Sequence, residues 1–180
     1  MFNKKSWFVR AVVTSIIFLG FSAARAESPQ AAPPPQCYTV ASLQGSYALI
    51  GNYAGGIGMA MAAEFIDGQG NMTRNATVNQ PLAGSTTGER TITTTMSTGT
   101  YTINCDGTGL LHRTQTNVTT GAVSTNDSNI IITAAVVKNG QLIATTILSA
   151  QTTPSSIVPG GVFTSMVYTR LPDRVGPPQL

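Results

Sequence analysis

The chain has 180 residues and a formal net charge of +3, yet only 9% of its residues are charged. Four of the ten basic residues (Lys4, Lys5, Arg10 and Arg25) lie in the first 26 positions, where no acid occurs. Beyond that segment six basic residues face seven acidic ones, a net charge of −1, so the pI near 9.1 gives no electrostatic footing for a nucleic-acid partner.

Residues 1–26 read as a secretory signal peptide. Lys4, Lys5 and Arg10 form a positive front, Ala11 to Phe21 an apolar run, and Ala24-Arg25-Ala26 a small-residue cleavage site. The run is short of the roughly 20 residues that cross a bilayer. No cysteine follows it where a lipoprotein would be acylated. The mature chain is therefore expected in the periplasm or outside the cell, and not as a transmembrane protein. Glu27 to Gln36 carries four prolines and reads as an extended tether. The body runs from 37 to 170 as a single domain, and the proline-bearing tail 171–180 is expected to be loose.

Threonine supplies 25 of the 154 residues after position 26. Branching at Cβ suits a pleated strand and restricts a helix, and no stretch shows a helical stripe. The first strand is expected over Gln44 to Asn52, with Tyr47 and Leu49 on one face. In Ile57 to Ile66, Met59, Met61 and Phe65 alternate with Ala60, Ala62 and Glu64, and the larger set reads as the inner one. Asp67-Gly68-Gln69-Gly70-Asn71 turns into a strand over Met72 to Asn79. Glu89 to Met96 and Gly99 to Asn104 follow, separately or as one bent strand. Asp106-Gly107 turns into Leu110 to Val118. Asn129 to Val137 and Leu142 to Ser149 form a hairpin about Asn139-Gly140, and Val162 to Arg170 closes the series. The fold class is all-β: a small antiparallel up-and-down barrel of about eight or nine strands, with a two-sheet sandwich as the alternative. A membrane barrel fits poorly, because the seven aromatic residues beyond position 26 make no girdle.

Cys37 and Cys105 are the only cysteines, and both lie beyond the export signal. An oxidising destination and an even count predict a disulfide between them. It would close a loop of 69 residues, counting both cysteines, and contribute about 4 kcal/mol. One histidine and no Cys-x-x-Cys pair leave no zinc site, and no cofactor motif occurs.

Three segments carry a resemblance. They are Cys37 with Leu43-Gln44-Gly45-Ser46-Tyr47, then Asp67-Gly68-Gln69-Gly70-Asn71, then Gly99-Thr100-Tyr101 through Cys105-Asp106-Gly107-Thr108. Together they resemble a functionally uncharacterised family of small secreted bacterial β-barrel proteins. That family's pattern runs Cys…Leu-x-Gly-x-Tyr, Asp-Gly-x-Gly-Asn, Gly-x-Tyr and Cys-x-Gly-Thr. The resemblance covers most of 37–170 and is strongest over 37–109. This chain departs at Asn104, where the family often has Asp, and at Tyr168-Thr169-Arg170, where a Lys-Arg ending is usual. What it implies is a compact antiparallel barrel, broadly lipocalin-like or allene-oxide-cyclase-like. It carries over no catalytic residue.

Chemistry is sparse. His112 has no Gly-x-Ser-x-Gly elbow to serve and reads as a surface or rim residue. Asp67, Asp106 and Asp127 adjoin turns, where aspartates bond their own backbone. Glu64 and Arg74 are ten residues apart across a turn and read as a cross-strand ion pair on the outer face. Met59, Met61, Phe65, Tyr47 and Tyr101 are the candidate lining of an internal cavity. The leading expectation is an exported binding or interaction protein taking a small apolar ligand or a protein partner. A shape-driven isomerase or cyclase, using Tyr47, Tyr101 or Glu64, is the first alternative. A surface or matrix protein associating edge to edge is the second.

Overall fold

The computed structural model describes residues 36–53, 58–82, 84–153 and 164–173. The expected signal peptide, all of the tether but Gln36, the loop 154–163 and the tail from 174 onward lie outside the described residues. Eight strands follow one another: β1 (Gln44–Tyr53), β2 (Gly58–Asp67), β3 (Asn71–Pro81), β4 (Arg90–Ile103), β5 (Thr108–Asn117), β6 (Val123–Lys138), β7 (Gln141–Gln151) and β8 (Thr164–Arg170). Each pairs antiparallel with the next, and β8 pairs with β1, which closes the barrel. Closure excludes the sandwich. It also joins the first strand to the last, so neither ends the sheet.

The turns at one end, the base, follow local rules. Asp67 Oδ1 accepts from the Gln69 and Asn71 amides at 2.7 and 3.0 Å, fixing the β2–β3 turn. Asn139 and Gly140 take φ of 53° and 77°, the pair of positive values that a two-residue primed hairpin requires. A short 3₁₀ turn, Val40–Ser42, packs at this end. Tyr101 Oη donates to the carbonyls of Val40 and Leu43 at 3.1 and 2.8 Å and holds that turn in place. Cys37 and Cys105 form the disulfide beside it.

The lower interior is filled with large side chains. Leu43, Tyr47, Ile66, Met72, Tyr101, Leu111, Ile130, Ile132, Ile147 and Tyr168 belong to one buried cluster. The void left among Leu43, Glu64, Tyr101, Leu111, Ile147 and Tyr168 is about 10 Å³. That is about the least space that holds one water molecule.

Two expectations need correction. Met59 and Met61 are 51% and 58% exposed and stand on the outer wall, and Phe65 is half-buried on the same wall. The inner set of β2 is Ala60, Ala62, Glu64 and Ile66. Cross-strand pairing supplies the reason. Residues directly opposite each other share a face, and inward-facing Tyr47 pairs with Glu64. The Glu64–Arg74 pair is consequently internal, with side chains only 1% and 2% exposed.

Candidate functional site

Paired residues trace a row across the inner wall: Tyr47, Glu64, Arg74, Ser97, Gln115 and Ser124 lie opposite one another in turn. Its first half is saturated. Arg74 Nε donates to Glu64 Oε2 at 2.6 Å, and Arg74 Nη2 donates to Tyr168 Oη at 2.8 Å. The guanidinium carbon lies 5.6 Å from the Tyr168 ring centroid. Burial pushes the Glu64 carboxyl and the Tyr168 hydroxyl above their ordinary values, and the adjacent guanidinium opposes both shifts. Tyr47 Oη donates to the Ala144 carbonyl at 3.0 Å. Burial pushes the Tyr101 hydroxyl up to about 12. The polar ends of Tyr47, Tyr101 and Glu64 are thus all engaged in holding the barrel together.

The other half of the row, and the rows toward the far end, or mouth, are different. Strands β4 to β6 present Thr95, Ser97, Arg113, Ser124, Asn126 and Ser128 to the interior, and all are buried. Arg113 faces inward because it lies two residues beyond Leu111, a core residue, on the same strand. It pairs with Gly99 on one side and Asn126 on the other. Gly99 is required there: a Cβ would meet the His112 carbonyl oxygen at 2.3 Å and the Met72 sulfur at 3.1 Å. The facing wall, from β1 to β3, is small and apolar: Leu49, Ala60, Ala62, Ala76 and Val78.

Five buried side-chain atoms in this layer have no hydrogen-bond partner: Thr95 Oγ1, Ser97 Oγ, Arg113 Nε, Ser124 Oγ and Asn126 Oδ1. Buried polar groups are ordinarily satisfied, and one left bare costs about 1–3 kcal/mol. Here four donor-capable groups and one acceptor share one face of one barrel. Among the described residues no carboxylate lies within ion-pair distance of Arg113. Arg74, equally buried, has Glu64. Among the described residues the interior therefore holds two guanidinium groups and one carboxylate. A small oxyanion could take the vacant role, since a guanidinium presents a planar fork of donors matched to carboxylate or phosphate.

None of the five unpartnered side chains was a candidate from the sequence. The signal that could have found them is parity: Leu111 inward forces Arg113 inward. His112, of opposite parity, stands on the outer wall with Nδ1 2.6 Å from Asp127 Oδ1. The outer wall also bears an open trough of about 990 Å³, lined by Ile50, Leu110, Ile131, Leu148 and Val167 among others, with no charged residue. No helix among the described residues is long and apolar enough to cross a membrane. No protein family, curated protein or solved structure matches this chain.

Proposed function

We propose that this chain is an exported binding barrel whose upper interior receives a small molecule bearing a carboxylate or phosphate group. The observation that carries the reading is the buried Arg113 guanidinium, which has no carboxylate partner and sits among hydroxyl and amide groups with unmet hydrogen bonds. An unpaired charge in a low-dielectric interior is costly, and an incoming anion removes that cost while filling the orphaned bonds. The small apolar wall opposite suits a short aliphatic or ring body attached to the anionic group. This revises the expected apolar ligand to an amphipathic one. Export is supported by the charged, apolar and small-residue order of the first 26 positions and by the Cys37–Cys105 bridge. A cyclase would need a free carboxylate or phenol facing substrate. Glu64, Tyr47 and Tyr101 are all occupied by structural bonds, which favours binding over catalysis.

The test is thermal melting of the exported protein with phosphate, sulfate, acetate and succinate, alongside native mass spectrometry for a retained ligand. At least one anion should raise the midpoint by several degrees, and Arg113→Met should abolish that response. A flat panel together with an unmodified native mass would overturn the reading, and so would an equal response in Arg113→Met.

A further inference from the structure

The unpartnered atoms of the inner wall do not carry equal information. Thr95 Oγ1, Ser97 Oγ and Ser124 Oγ belong to hydroxyls, which rotate and can give or take a hydrogen. Arg113 Nε can only donate, and Asn126 Oδ1 can only accept. These two fixed demands sit side by side. Arg113 of β5 and Asn126 of β6 are directly paired, and the two residues are 3% and 4% exposed. Paired positions on antiparallel strands lie about 5 Å apart at Cα, so the groups that answer them must stand on neighbouring atoms of one small molecule.

Charge narrows the choice. Among the described residues the buried charged groups are Glu64, Arg74 and Arg113, and the first two form a pair. One positive charge is left, which matches a monoanion. A dianion, such as a phosphate monoester or a dicarboxylate, would bring a second negative charge against a wall of Leu49, Ala60, Ala62, Ala76 and Val78. The donor beside the anionic group must be neutral, because among the described residues no buried carboxylate is left to balance an ammonium group. A hydroxyl meets that condition.

Resting on the reading of the upper interior as an anion-binding site, we propose that its ligand is a 2-hydroxy monocarboxylate with a short alkyl chain. The carboxylate accepts from Arg113 Nε, and the hydroxyl on the adjacent carbon donates to Asn126 Oδ1. The alkyl group turns toward the alanine-bearing wall of β2 and β3. Ser97 and Ser124 flank Gln115 one inward position further along, and their hydroxyls can turn to the remaining carboxylate lone pairs. An acid without the hydroxyl answers Arg113 and leaves Asn126 Oδ1 bare.

Isothermal titration calorimetry of the exported protein with lactate and propionate, which differ only in that hydroxyl, tests this at neutral pH. At least one enantiomer of lactate should bind about tenfold or more tightly than propionate. Asn126→Leu, of similar size and unable to accept, should bring the two acids to equal affinity, and Arg113→Met should abolish binding of both. The wild-type comparison decides even where Asn126→Leu fails to fold. Propionate binding as tightly as both lactate enantiomers would overturn the hydroxy-acid assignment while leaving the anion site standing. So would a preference for lactate that persists in Asn126→Leu, or inorganic phosphate binding more tightly than lactate. No binding of any of these anions would remove the anion site itself, and the assignment with it.

Discussion

Two arginines of similar burial divide the interior between structure and function. Arg74 is held by Glu64, Tyr168 and the thioether of Met166, so each of its three nitrogens has a partner. Removing one member of such a pair strands the other charge in a medium that solvates it poorly. Glu64→Gln should therefore destabilise the fold by about 3–5 kcal/mol, read as a lower urea midpoint with an unchanged m-value. A loss under about 1 kcal/mol would mean that water reaches Arg74. Arg113 lies at the other extreme. Its Nε has no hydrogen-bond partner among the described residues. Replacing it by methionine, of similar length and without charge, should raise stability by on the order of 1–3 kcal/mol. The same urea titration measures this without added anion. A destabilised Arg113→Met would show that the guanidinium is satisfied in the native state, and would remove the motive for a ligand.

At the level of the strand, legibility followed chemistry. The order of strands, the Asn139-Gly140 hairpin and the antiparallel pairing could be read because turn residues and β-branched runs report local geometry. The face of β2 could not. Met59, Met61 and Phe65 outweigh Ala60, Ala62 and Glu64 in bulk, and bulk ordinarily marks the core. In a closed barrel interior volume is scarce, and Tyr47 of the neighbouring β1 and Tyr168 of β8 already fill much of it, so β2 contributes small residues and one paired acid. The large apolar set stands outward instead, with Met59 and Met61 exposed and Phe65 half-buried. Strand β6 shows the complementary failure. It begins at Val123, six residues before the Asn129 start expected from the sequence. Val123 to Ser128 reads as a polar loop because both faces are hydrophilic: Thr125 and Asp127 outside, Ser124, Asn126 and Ser128 inside. Hydrophobic alternation cannot mark a strand whose inner face is a polar site. The segment hidden from the sequence reading is thus the one that lines the candidate site.

For the barrel as a whole, closure depends on the first strand meeting the last, the most distant pairing in the chain. Such contacts are reached only after a large loss of chain entropy. The Cys37–Cys105 bridge acts on part of that cost. Its loop encloses β1 to β4, half of the wall, and so restricts the unfolded ensemble over the segment whose ends must come together at the base. Native contacts already place these ends side by side: the Tyr38 amide donates to the Cys105 carbonyl at 3.1 Å, and Tyr101 holds the 3₁₀ turn. The bridge therefore stabilises mainly through the unfolded state, with little to add in the folded one. Replacing both cysteines by serine should lower unfolding free energy by about 4 kcal/mol. The closed barrel should persist, so far-ultraviolet circular dichroism and the response to anions should match the wild type. Refolding should slow more than unfolding accelerates, because the lost constraint acts before the transition state. Stopped-flow urea chevrons separate the two limbs. A stability loss confined to faster unfolding would show that the bridge instead strengthens the native base.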